Sequence, residues 1–200
     1  MVYAKALVAA AMLAGFASLA SADTINFDDL SDAPIANGYH GLDWSNFWSF
    51  APFSPDYDGS GYESALTSGT NVAYNSYGTP ASISSAADFD LNSFVAAAAW
   101  NDGLSVLISG YNNGVQIYST VVSLVTGSAS AVTLNWIGVD DVSFVSYGGT
   151  NPGLNGSGTH FALDDLTISV APVPLPAALP LFGFALAGMG FVARRRRTKL

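Results

Sequence analysis

From Asp23 to Val170 the apolar residues arrive in short runs of Val, Ile, Phe, Tyr and Trp, broken by Gly, Asn, Asp and Ser. In VTLNW, Val132, Leu134 and Trp136 share one parity while Thr133 and Asn135 hold the other. In VQIYS, Val115, Ile117 and Ser119 repeat the pattern. Period two is the signature of β-strands, whose successive side chains leave opposite faces. The segment GY-NNG-VQIY predicts a hairpin, because Asn-Gly accepts the positive φ that a tight turn requires. FDLNSFVAAAAW, LSVLISGY, DDVSFVSY and FALDDLTISV predict four more strands. Ala96–Ala99 lie between Phe94 and Trp100 and suit a tightly packed strand better than a helix. No capped stretch of period 3.6 interrupts the series, so the expectation is an all-β, two-sheet sandwich. YHGLDWSNFWSF and GSGYESALTSGTNVAYNSYG are aromatic-rich and loop-rich, and predict a less regular first third.

The two ends read differently. MVYAKALVAAAMLAGFASLASA has one lysine, an apolar middle and small residues at Ala20 and Ala22 before Asp23. That is the layout of a secretory signal peptide over residues 1–22, cleaved by a signal peptidase. The opposite end carries a proline-containing linker over 171–176, then an apolar helix and a basic tail over 177–200. Leu175 to Ala193 is long enough for a minimal membrane span, and the arginines behind it stay on the cytoplasmic side. The expected precursor has its domain (23–170) outside the inner membrane and its C-terminus inside.

Setting the ends aside changes the charge. All fifteen acidic residues and none of the six basic ones lie between Asp23 and Pro172, so that stretch carries −15 against −9 for the whole chain. Such a surface repels phosphate backbones and excludes nucleic-acid binding. With no cysteine, export brings no disulfides and packing alone must hold the fold.

Val173, Pro174, Leu175, Pro176 and Ala177, followed by a short apolar helix and Arg194, Arg195, Arg196 and Arg197, resemble a PEP-CTERM sorting signal of the VPLPA variant. The resemblance implies cleavage near the motif by an exosortase-type membrane protease and delivery to the cell surface or extracellular matrix. INFDDL, GYHGLDWSNF, SGTNVAYN, LISGYNNGVQIYSTVVSL, VTLNWIGVDDVSFVS and FALDDLTI resemble the jelly-roll domain common among exosortase-sorted proteins. That implies a fold and an export route; it carries over no catalytic residue.

Candidate chemistry is sparse. Asp28-Asp29 opens the domain and Asp164-Asp165 closes it. Phe161 and Leu163 sit at odd positions, Leu166, Ile168 and Val170 at even ones, so a β-bulge between them is predicted. First and last strands often pair in a sandwich, which would bring the two acidic pairs together. With no local cation, a structural Ca²⁺ is the natural partner. Asp56, Asp58 and Ser60 in DYDGSG begin a second calcium-loop pattern, which fails at its twelfth position, Thr67. Trp44 and Trp48 are the candidate sugar-stacking rings. His40 and His160 fall in no catalytic motif, and the predicted protein is not an enzyme. The expected role is a structural or carbohydrate-binding one within exopolysaccharide. The rival readings are a secreted polysaccharide hydrolase using carboxylates and an unprocessed single-pass surface protein.

Overall fold

The computed structural model describes residues 22–170, so Ala20, the sorting motif, the arginine cluster and the expected membrane helix lie outside the described residues. Among the described residues no helix is long and apolar enough to cross a membrane. The chain between is all-β. Its strands are β1 (Ala22–Ile25), β2 (Ala33–Pro34), β3 (Asp43–Ser45), β4 (Phe47–Phe50), β5 (Val72–Asn75), β6 (Ala81–Ala98), β7 (Asp102–Asn112), β8 (Val115–Leu124), β9 (Ser130–Thr150) and β10 (Phe161–Val170). They form one continuous antiparallel sheet in the order β2-β4-β5-β10-β6-β9-β7-β8, with β1 on β10 and β3 on β6.

That sheet doubles over on itself. β6 and β9 are long enough to belong to two layers, and their ladder breaks between Ser84↔Asp141 and Phe89↔Val139. Four residues of β6 there oppose one of β9, and Gly138 takes a positive φ of 68° beside the break. Layer A holds β3, the first part of β6, the second part of β9, β7 and β8. Layer B holds β2, β4, β5, β10, β1 and the remaining parts of β6 and β9. Phe144 of layer A meets Phe94 of layer B at a ring separation of 6.0 Å and Phe161 at 5.9 Å, so the layers face each other. Phe47 packs edge-on against Phe144 at 5.6 Å and Phe161 at 6.1 Å. Each such ring, fully buried, contributes about 1.5–3 kcal/mol from its apolar area.

Gly110 of β7 makes room for the Trp136 ring of layer B, since a β-carbon there would stand 2.9 Å from it. The predicted hairpin forms between β7 and β8, with Asn113 at φ 50° and Gly114 at φ 75°. The predicted bulge in β10 also forms: register shifts lie between Asp164 and Ile168, and Asp165 adopts φ 50°.

A short helix, α1 (Gly61–Ala65), covers part of the outer face of layer B. It explains the alanine run: Ala96 and Ala98 pack in the central core, Ala97 and Ala99 pack against α1. Gly61 permits that docking, because a β-carbon there would fall 1.8 Å from the carbonyl oxygen of Ala98.

Candidate functional site

The outer face of layer A is built by period two. Leu104, Val106 and Ile108 of β7, Val142 and Phe144 of β9, and Ala81 and Ile83 of β6 point into the core. Their alternates therefore point away from it. Direct cross-strand partners place Ser45 beside Ser82, Ser82 beside Ser143, Ser143 beside Ser109 and Ser109 beside Ser119. Five strands thus contribute one serine each to a single row. At ~4.8 Å between strands, the row runs roughly 19 Å across the face.

Longer side chains wall the row on both sides. One flank reads Asp43, Ser84, Asp141, Tyr111 and Gln116. The other reads Val145, Leu107 and Val121, and beyond it lie Tyr147, Ser105 and Ser123. Ser109 is only 5% exposed although it points outward, whereas Ser45 and Ser119 at the ends of the row are exposed, so the row is recessed as a trough around Ser109. Among the described residues none of the five serine hydroxyls is engaged by a donor or acceptor, whereas the serines at 49, 68 and 146 all are. Burial, with the neighbouring Asp140 carboxylate, pushes the Asp141 carboxyl above the ordinary range. The trough therefore offers free hydroxyls on its floor, carboxylate acceptors and a tyrosine along one wall, and aliphatic carbons along the other.

The residues singled out in the sequence take other places. Trp44 is 6% exposed and lies edge-on to Phe27 at 5.6 Å and Phe47 at 5.5 Å, with its indole N–H donating to the Tyr39 carbonyl. It is a core residue, and the expectation of a stacking ring there is corrected. Trp48 has the opposite parity and is half-buried on the outer face of layer B, between Pro34 and Tyr74 in the ladder.

The two acidic pairs do approach one another, as β1 and β10 pair. They converge on one loop. Asp28 accepts the backbone N–H groups of Thr70 and Asn71. Asp164 accepts those of Thr67 and Ser68, each at 2.9 Å, and of Asp165 at 2.7 Å. Asp165 accepts the Ser68 hydroxyl at 2.8 Å, and Asp29 the Tyr39 hydroxyl at 2.6 Å. Gly69 lets the loop close, since a β-carbon would collide with Asp28. Asp28, Asp164 and Asp165 thus accept donors from the loop over 67–71, while Asp29 accepts from Tyr39. Among the described residues no three acidic or histidine groups are gathered as a metal site. In the second calcium-loop pattern, Asp56 and Asp58 are exposed while Ser60 is fully buried ahead of α1, so the three do not face one point.

Ala22 opens β1 and Asp23 follows it there, where its carboxylate meets His40 Nδ1 at 2.6 Å. His160 is packed between Tyr62 and Tyr74, and burial pushes its imidazole pKa down. The serine row went unrecognised in the sequence because it exists only in the register. Its one trace is serine recurring at the non-core parity of five separate strands.

No family model matches the chain, and no curated protein matches it. Three solved structures share part of its course. The K1 cleaved adhesin domain of Lys-gingipain from Porphyromonas gingivalis W83 is 10% identical, with a TM-score of 0.45 over 74% of this chain and 97% of that one. TmCBM61, solved in complex with β-1,4-galactotriose, is 10% identical, with a TM-score of 0.38 over 72% and 92%. A Streptococcus pneumoniae fucose-binding module is 13% identical, with a TM-score of 0.29 over 51% and 72%. Likenesses this distant assign no function, which rests on the geometry above.

Proposed function

We propose that this chain is exported, is released by cleavage at its VPLPA motif, and serves outside the cell as a non-catalytic binder of uncharged polysaccharide. The row of five unengaged serine hydroxyls on the outer face of layer A carries the reading. Sugar hydroxyls are donors and acceptors at once, and a serine floor answers both roles along its whole length. Asp43 and Asp141 accept from sugar hydroxyls on one side, and Tyr111 supplies a ring whose apolar face suits the C–H face of a pyranose. A formal charge of −15 disfavours anionic polymers, so the ligand class is neutral glycan.

The export half of the proposal rests on the signal-like start and on Val173–Ala177 with Arg194–Arg197. Within this reading the destination is the cell surface or the exopolysaccharide matrix.

The test is an array of neutral and anionic glycans probed with protein recovered outside the producing cells, followed by a reducing-sugar assay on each hit. Retention of neutral glycans without release of reducing ends is expected. Release of reducing ends would replace the proposal with the hydrolase, and an empty array would remove it.

A further inference from the structure

Among the described residues β8 is the last strand of layer A and pairs on one side only, with β7. Its other side presents a row of backbone N–H and C=O groups, and only another β-strand satisfies such a row as a ladder. Sheet edges are commonly blunted by charge, proline or brevity. β2 at the opposite end is so treated, being two residues long with Pro34 in it. The open part of β9 is interrupted by Asn135 at φ 50°. β8 has only a bulge at Ile117, near its start. From Tyr118 to Leu124 it matches β7 one to one, and no residue from Gly103 to Val139 is charged.

The outward side of β8 is also apolar. Val121 is 52% exposed, Ile117 44%, and Val125, just past the strand, 40%. Read outward from Val121, the residues of that parity are Ser119 and Ser123, then Ile117 and Val125. The pattern is the same in both directions. The regular segment Tyr118–Leu124 is itself centred on Val121. An isologous contact demands that kind of symmetry, because each residue must suit its own counterpart.

We infer that two copies of this chain join edge to edge along β8, antiparallel about a two-fold axis at Val121. In that register Val121 meets the copy's Val121 and Ser119 meets Ser123, while Ile117 in its bulge and Val125, whose carbonyl accepts the Ala98 N–H, flank the ladder as apolar side-chain neighbours. The inner parity pairs Thr120 with Val122 and Tyr118 with Leu124. A second copy is the fitting occupant for two reasons. The edge is self-complementary, and two bodies of the same high negative charge meet here across the longest uncharged stretch of the domain. Layer A of one copy then continues into layer A of the other. The apolar row Val145–Leu107–Val121 runs across the axis into its own image, and the serine row of each copy abuts Ser123 of the other. The inference does not depend on what the trough binds.

Sedimentation velocity on the full chain as its cells produce it, over a range of concentrations, should show a dimer. Val121→Glu places two like charges opposite each other and should raise the dissociation constant ~tenfold or more, leaving the far-UV spectrum unchanged. Because the chain has no cysteine, crosslinking gives a second readout that does not depend on that variant folding. Val121→Cys sets two sulfurs directly opposite each other and should oxidise to a covalent dimer. Ser119→Cys sets them roughly 13 Å apart along the strands and should not. A monomer at every concentration, a dimer unaffected by Val121→Glu, or equal crosslinking by both cysteine variants would overturn the inference.

Discussion

Asp164 is a fully buried carboxylate in a domain without a single lysine or arginine, and three backbone N–H groups stand in for the missing cation. Burial pushes its pKa up, and the hydrogen bonds from Ser68, Asp165 and Thr67 only partly oppose that. The folded state therefore holds this proton more tightly than the unfolded chain. Its contribution to stability is greatest below the ordinary carboxylate value of 3.8 and falls as pH rises through the raised folded value. Urea midpoints recorded across that window should decline less steeply in Asp164→Asn than in the wild type. Asp102 has the opposite sign, because donors from Thr126 lower its pKa. Its contribution is present above 3.8 and lost on acidification. Asp164→Ala leaves three part-buried N–H groups without their acceptor, and denaturant titration should find it less stable by about 1–3 kcal/mol. The acidic pair was visible in the sequence together with the parity flip beside it. Its partners were not, since Thr67 and Ser68 lie far away along the chain.

At the scale of elements, sequence served best where one local rule decides. Asn113-Gly114 can form a tight turn whatever surrounds it, and the odd-to-even shift after Leu163 can only be a bulge. It served worst where the partner decides. Alternation in VQIYS places Val115, Ile117 and Ser119 on one face but does not say which face is buried. The structure turns Ile117 and Ser119 outward, because Tyr118 stacks on Trp136 at 5.2 Å on the inner side, and a bulge at Ile117 breaks the alternation before Val115. Trp44 was misjudged for the same reason: parity separates it from its neighbours, and only the ladder with Ile83 shows that its side is the core. The helix α1 is too short to leave a period, yet Gly61 makes it testable. Gly61→Ala must push the helix off the Ala98 carbonyl, and thermal melts should show a loss of about 2–3 kcal/mol. Serine at that position, slightly larger, should do no better.

At the scale of the molecule, charge is the governing feature. Fifteen carboxylates with no internal counter-charge repel one another, and dissolved salt screens them. The thermal midpoint of the domain over 23–170 should rise by roughly 3–6 °C between about 10 mM and about 200 mM salt. A flat response would mean that the carboxylates are neutralised by something bound. The same composition makes processing easy to follow. Once the signal peptide and tail are removed, the α-amino group is the only amine left, so an amine-reactive reagent should add one group per chain. Trypsin should find no site even in the unfolded protein. A second adduct would reveal a retained Lys199 or Lys5, and with it an unprocessed end.

Binding on the outer face of layer A is most directly tested by the affinity of the exported protein for its best neutral glycan. Three forms decide it: wild type, the double variant Ser109→Val with Ser143→Val, and Trp48→Ala. The valines remove two floor hydroxyls and fill the trough while keeping strand-favouring side chains. The account predicts at least ~tenfold weaker binding in the double variant, about 1.4 kcal/mol, and an unchanged constant in Trp48→Ala. Full affinity in the double variant, or its loss in Trp48→Ala, would move the site to the other face and contradict the account.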